Sequence, residues 1–387
     1  MESVKSLFLL NPDITYLNHG SFGACPKPIF EDYQKWQLSL ERDPVQWVVK
    51  HGVEAQNQSK RALAEFLNCD ADDLVYVTNP STAGNIIIKG LDLKEGDEIL
   101  TTDQEYGAMD RTWKYVCGKT GAKYIQQEIR LPLVSKEQFL EDFWKGLTPN
   151  TKIVFISHIT SPTGLIFPVK EVCERAKELG LMTIVDGAHA PNHIPLDLSE
   201  LKADVYTGAC HKWLLTPKGS SFLYVRKEFQ NDFDPLIISW GYEAEKPSHS
   251  QYLDYHEYQG TRDFSAFLTI PAALKFRDDY QWPERSAKCR EMIRHYYPEA
   301  CRLLNTEPLC PITEEFLGQL CSIPLQSSSP EELKNVLYDQ YGIEIPLPAM
   351  AGRLFIRISI QAYNNEKDIE TLFDALKDIQ NKTNLIG

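Results

Sequence analysis

The chain has 387 residues, 43% of them hydrophobic and 24% charged, with a formal net charge of −14. That is enough chain for one large buried core and a smaller second unit. The acidic balance argues against nucleic acid or an anionic membrane surface as the main partner. The first apolar run, residues 7–10 in MESVKSLFLLNPD, is too short for a signal peptide, and nothing approaches the ~18 apolar residues of a membrane span. Nine cysteines are scattered without a CxxC pair, as expected of free thiols in a reducing cytoplasm. The Asn-x-Ser/Thr sequons at Asn57 and Asn381 are accordingly read as chance.

In chain order, DLVYVTN (73–79) reads as a strand and AGNIIIKGL as the helix after it. DEILTTD (97–103) is a second strand, MDRTWKYVCGKTG a helix ending on Gly121, and AKYIQQEI a third strand. The amphipathic stretch SKEQFLEDFWKGL predicts a helix, and TKIVFISH (151–158) a nearly continuous apolar strand. PVKEVCERAKELG opens on Pro and closes on Gly180, as helix boundaries prefer, and LMTIVDGAHA (181–190) is again a buried strand. ADVYTG follows as one more strand. Such alternation implies a parallel sheet covered on both faces, whose ligands gather at the carboxyl ends of the strands. Near residue 280 the pattern changes to a long helix (WPERSAKCREMIRHYYPEACRLL), then LGQLCSIPL, the helix SPEELKNVLYDQYG, the strand RLFIRISIQ and the helix EKDIETLFDALKDIQ. This reads as a second, α+β unit.

The strand ends carry the chemistry. Asp186 follows LMTIV, with Gly187, Ala188 and His189 behind it, and Lys212 lies in TGACHKWLLTPKG after the next strand. An Asp and a Lys facing one crevice suit pyridoxal phosphate, which needs a lysine as Schiff-base nucleophile and a carboxylate at its ring nitrogen. The spacing alone leaves a structural Asp and a surface Lys equally open. NPSTAGN (79–85), between a strand and a helix, offers a phosphate cradle, although a simple Ser or Thr N-cap has the same appearance. CGKTG (117–121) is not a nucleotide P-loop: position 113 is Trp where a Gly is required, and the stretch ends a helix rather than starting one.

VDGAHA followed by TGACHKWLLTPKGSSFLYV resembles the class V aminotransferase family of fold-type I pyridoxal-phosphate enzymes, the group that includes cysteine desulfurases. Within it the likeness is to the isopenicillin N epimerase-like branch. YLNHGSFGACP (16–26), ISHITSPTGLIFPV (156–169), YQGTRDFSAFLTIPAAL (258–274) and RISIQAYN (357–364) fit the same pattern in the same order. The resemblance implies a large α/β cofactor domain over residues 16–275 with a mainly parallel seven-stranded sheet. A small α+β domain over 276–387 would follow, with residues 1–15 packing on it. It implies that Lys212 holds pyridoxal 5'-phosphate covalently, that Asp186 pairs with the ring nitrogen, and that His189 sits near the ring hydroxyl. Ser81, Thr82 and His211 would serve the phosphate, with Thr261 reaching it from the partner subunit of a homodimer whose active sites lie at the interface. Tyr106 would stack on the ring, Ser161 would stand beside the ring hydroxyl, Arg357 would clamp the α-carboxylate of an amino-acid substrate, and His19 would also face that substrate.

The departures narrow the reaction. Desulfurases carry a nucleophilic Cys on a loop before the carboxylate arginine, whereas EIPLPAMAGRLFIRIS (344–359) has none, and Cys321 lies 36 residues before Arg357. Cys210 reads as a small packing residue. Ser161 replaces the Asn usual in desulfurases. A persulfide-forming mechanism is therefore not expected. The resemblance favours epimerisation or racemisation at Cα, with carbon–sulfur lyase or aminotransferase chemistry as the alternatives.

Overall fold

Short apolar strands and amphipathic helices alternate from residue 74 to residue 225, and their packing builds the layer that carries the site. The computed structural model describes residues 3–386. After a two-residue strand β1 (Thr15–Tyr16), the strands of the main sheet are β2 (Leu74–Val77), β3 (Glu98–Thr102), β4 (Lys123–Gln127), β5 (Thr151–Ser157), β6 (Met182–Asp186), β7 (Val205–Ala209) and β8 (Ser221–Val225). Their order is β2-β8-β7-β6-β5-β3-β4. The pairs β4/β3, β3/β5, β5/β6 and β6/β7 are parallel, and β8 runs antiparallel to both neighbours. The reversal has a simple cause. Only residues 210–220 join β7 to β8, too few for a crossover, so the chain folds back as a hairpin.

The two edge strands of the sheet differ in burial. β2, β3, β7 and β8 are buried along their whole length, whereas the edge strand β4 alternates between exposed and half-buried residues, which explains the polar KYIQQ. The helix Val169–Glu178 buries Val169, Val172, Cys173 and Ala176, the one-face spacing of an amphipathic helix on a sheet. The helix expected over 83–91 starts earlier, at Pro80, because the Asn79 side chain accepts from Thr82 N–H and Pro suits the first turn. The helices Lys27–Arg42 and Gly52–Leu67, ahead of β2, had no counterpart in the strand–helix pattern read from the sequence.

Beyond the sheet come the helix Trp282–Leu303, strand β9 (Leu320–Leu325), the helix Pro330–Asp339, strands β10 (Ile343–Glu344), β11 (Ala349–Met350) and β12 (Arg353–Ser359), and the helix Glu366–Lys382. β11, β12 and β9 form an antiparallel sheet. The domain boundary expected between residues 275 and 276 lies inside the helix Ile270–Asp279. One apolar core joins Val154, Ile156 and Val185 of the main sheet to Ile323, Ile356 and Ile358 of the second. The N-terminal residues lie against this later part of the chain. Phe8 meets Tyr363 edge-on at 4.8 Å, Lys5 pairs with Asp368 at 3.7 Å, and β1 adds in parallel to β10. That docking delivers residues 19–22 to the carboxyl edge of the main sheet.

Candidate active site

Parallel register puts Ser157 and Asp186, the last residues of β5 and β6, side by side with Thr207 in β7. Above them opens a cavity of about 450 Å³ whose wall includes Asp186, His189, His211, Lys212 and Arg357. Lys212 stands on the β7–β8 hairpin. Cys210 N–H and His211 N–H both donate to Ser220 O at 3.1 Å, and Leu215 N–H donates back to Lys212 O at 3.2 Å. Leu215 is held in the left-handed region at φ 68°, a conformation that costs a branched residue energy and is tolerated here inside a packed turn. Gly23 makes the opposite wall possible: at φ 69°, an added Cβ would lie 2.1 Å from His211 O. Gly187 likewise lets the turn after Asp186 lie against Tyr206, whose ring a Cβ would strike at 2.1 Å.

Lys212 Nζ lies 3.2 Å from His189 Nε2. Burial, and then repulsion from Arg357, bring its pKa down to about 8, against the attraction of Asp186. Near physiological pH the neutral fraction of the amine is therefore far larger than that of an ordinary lysine, as a nucleophilic or basic lysine requires. Asp186 is buried and accepts one hydrogen bond, from Ala188 N–H at 3.0 Å. It makes no ion pair among the described residues, and desolvation raises its pKa. His189 is pushed well below the usual histidine range by burial, then by Lys212 and Arg357.

Arg357, on β12, reaches the cavity across the gap between the two sheets. Its Nη1 donates to Ser161 O at 2.6 Å and Ser161 Oγ at 3.2 Å, and its Nη2 to Ser21 Oγ at 2.9 Å. Its Nε–H has no partner among the described residues, and no carboxylate neutralises it there. Burial lowers its pKa to about 10. A buried guanidinium that lines a cavity without a counter-charge is suited to an anionic ligand.

At the other end of the cavity the wall is Thr78, Asn79, Pro80 and Ser81 at the start of the helix Pro80–Gly90, with His211, Lys218 and Gly219. His211 Nδ1 lies 3.0 Å from Ser220 O and donates to it, which leaves Nε2 for a ligand. Burial lowers the His211 pKa to about 4. Tyr106, 48% exposed, belongs to the wall at the N-cap of the helix Gly107–Thr120.

Three expected site residues stand elsewhere. Thr82 does not line the cavity, because its N–H and hydroxyl are engaged with Asn79 and Thr78 in the helix cap. Thr261 is exposed on the loop after the helix Gln251–Glu257 and is not among the residues lining the cavity. His19 is a correction. It is wholly buried and does not face the cavity; its Nδ1 meets Tyr363 Oη at 3.0 Å and its Nε2 meets Lys212 O at 3.1 Å. It supports the lysine turn from behind, and the residues of that motif that line the cavity are Gly20, Ser21 and Phe22, with Ser21 bonded to Arg357.

Sequence reasoning also passed over Trp213, Lys218 and the Glu105–Ser157 pair. Trp213 and Lys218 lie within TGACHKWLLTPKG, so proximity to the lysine was the available signal. Glu105 is buried beneath the cavity, accepting from Thr102 Oγ at 2.7 Å and Ser157 Oγ at 2.5 Å. Burial pushes its pKa up to about 8. No cysteine is among the described residues lining the cavity. Cys210 is buried with its thiol pushed up to about 12, and Cys321 is buried on β9 with its thiol also pushed well above the usual range.

Residues 28–372 match the family model described as Aminotransferase class-V. The chain belongs to the class V aminotransferase family. Members of this family are pyridoxal-phosphate enzymes. Among its relatives, isopenicillin N epimerase of Streptomyces clavuligerus is 31% identical, with 97% of each chain covered. A probable chloroplastic L-cysteine desulfhydrase of Arabidopsis thaliana is 26% identical over 95% of this chain and 83% of its own. The fold is similar to the apo cysteine desulfurase of Thermococcus onnurineus NA1 (TM-score 0.83, 21% identity, 98% of each chain covered). It is also similar to the cystine C–S lyase C-DES in complex with its product cysteine persulfide (TM-score 0.80, 23% identity, 95% and 98% covered).

The residues present fit this family's cofactor. The helix start at Pro80 offers a positive dipole end to a phosphate, and Asp186 is a buried carboxylate without a cation. Lys212 is a desolvated amine between that carboxylate and the unpaired guanidinium of Arg357.

Proposed function

We propose that the protein is an epimerase or racemase of the isopenicillin N epimerase kind, breaking and remaking the Cα–H bond of an amino acid or an amino-acid derivative. The observation that carries this reading is Arg357, a buried guanidinium without an ion-pair partner among the described residues, lining the same cavity as Lys212 and Asp186. Bound pyridoxal phosphate supplies an electron sink for the bonds at Cα. Lys212 would hold the cofactor, and its amine would be the base placed to take the Cα proton of a bound substrate. Asp186 keeps the ring nitrogen protonated, and Arg357 orients the α-carboxylate with a charge-assisted fork. Ser81 and His211 serve the phosphate, Tyr106 covers the ring, and His189 and Ser161 attend the ring hydroxyl.

Thr261 completes the phosphate site from the partner subunit of a homodimer. Large apolar side chains left exposed, among them Trp240 at 82%, Ile238 at 65% and Phe22 at 67%, support an assembly that covers them. No helix among the described residues is long and apolar enough to cross a membrane.

A second reading, carbon–sulfur lysis, is favoured by the desulfhydrase relatives and needs no protein thiol. The experiment that separates them is a panel of amino acids incubated with the cofactor-loaded enzyme in deuterated water. Epimerisation gives Cα deuterium with inverted configuration and no sulfide, whereas lysis gives sulfide and a keto acid. Lys212→Ala is expected to abolish both, along with the borohydride-reducible cofactor adduct. An adduct on another lysine in that variant refutes the assignment.

A further inference from the structure

Trp213 is fully buried directly after the lysine, and its indole N–H donates to His189 Nδ1 at 3.3 Å. A buried indole N–H requires a partner, and no other acceptor is hydrogen-bonded to it among the described residues. We propose that Trp213 is a positioning residue for Lys212. Its N–H occupies His189 Nδ1 and so places the imidazole proton on Nε2, and His189 then meets the lysine amine as a donor while the amine is held as the acceptor.

Both alternatives are penalised by geometry. A proton on Nδ1, whether in the other neutral tautomer or in the imidazolium, sets N–H against N–H and leaves the indole donor buried without a partner. The indole cannot swing away. His193 stacks on it at 3.9 Å with 22° between the rings, and His193 is itself pinned. Its Nε2 accepts from Gln319 N–H at 2.6 Å, and its Nδ1–H donates to His189 O at 2.9 Å. The chain Gln319–His193–Trp213–His189–Lys212 therefore connects the second sheet's first strand region to the amine through three hydrogen bonds and one ring stack.

Of the charged and titratable groups around the lysine, Asp186 favours its protonation and Arg357 opposes it. His211 and Lys218 line the same cavity, His19 Nε2 lies 3.1 Å from Lys212 O, and His193 acts on His189. Burial and the neighbouring cations also keep His189 neutral. Only a neutral amine has the lone pair that adds to an aldehyde carbon, with water as the product lost. Holding Nζ as an acceptor therefore prepares it for that addition.

The inference rests on Lys212 as the amine that captures the cofactor, and two measurements keep the two ideas separable. In full-length cofactor-free protein labelled with 15N-histidine, the His189 resonances, assigned by their loss in His189→Gln, are expected to show the proton on Nε2. The rate of pyridoxal phosphate capture, followed by visible absorbance against pH, then compares wild type with Trp213→Phe. Freed of the indole, Nδ1 can take the proton and Nε2 can accept from the ammonium. The midpoint is thus expected to move up by about one pH unit with the high-pH plateau retained. A proton on Nδ1 in the wild type, or an unmoved midpoint with only a lower plateau, overturns the proposal. Should Trp213→Phe fail to fold, the wild-type tautomer decides alone. A wild-type chain that captures no cofactor refutes the role of Lys212, and the 15N spectrum still judges the Trp213–His189 pair.

Discussion

Replacing Arg357 by Met tests the site from two directions at once. Burial holds the guanidinium at about 10 rather than 12.5, and at about 1.4 kcal/mol per unit the charged form is disfavoured by roughly 3 kcal/mol. A lowered cation pKa weighs against folding whenever the pH is below the folded value, so the whole cost is present at neutral pH. Hydrogen bonds to Ser161 and Ser21 offset part of it, at about 1 kcal/mol each. An apolar residue of similar length is therefore expected to leave the substrate-free protein as stable or about 1 kcal/mol more stable. The same change removes the fork for the α-carboxylate. About 3 kcal/mol of charge-assisted contact corresponds to a fall in kcat/KM of more than about a hundredfold. Thermal unfolding without substrate and steady-state kinetics on the best amino acid of the panel measure the two effects. A variant that is markedly destabilised yet keeps its kcat/KM would show that Arg357 is a structural cation and refute the reasoning.

Asp186→Asn is expected to keep the cofactor bound, by absorbance and mass, while turnover falls by about two orders of magnitude, since a neutral amide cannot hold the ring nitrogen protonated; full turnover would remove Asp186 from the mechanism. Glu105 has a folded pKa raised from 4.5 to about 8, so its contribution to stability is complete below pH 4.5, declines as pH rises and is lost above about 8. Glu105→Gln should therefore gain on the wild type by a few kcal/mol on going from about pH 5 to about pH 9. Urea unfolding curves that stay parallel across that range would exclude a neutral buried acid. Turnover of free cysteine is expected to leave no persulfide on any of the nine cysteines, and Cys210→Ala to leave Cα-proton exchange intact. Persulfide detected by mass spectrometry on one of them would restore desulfurase chemistry.

Much of the site was legible before any tertiary contact was known, because its signals are local. A strand that ends in Asp186 delivers a carboxylate to the sheet edge by its period alone, and Asn79-Pro80 announces a helix start through cap chemistry that involves only neighbours in sequence. The lysine stretch, the apolar central strands and the family likeness could be read in the same way. What only the tertiary structure decided are the meetings of distant segments. His19 and Lys212 are 193 residues apart, and Ser21 and Arg357 are 336 apart. Nothing in either stretch says that His19 spends its ring nitrogens behind the lysine while Ser21 turns to the arginine. Burial was equally beyond the sequence. Desolvation brings Lys212 down to about 8 and Glu105 up to about 8, and it depends on the whole packed surroundings rather than on neighbours along the chain. Residue types and their spacing specify which groups are available. Their charges and directions follow from what the folded chain stacks against them and from how much water it excludes.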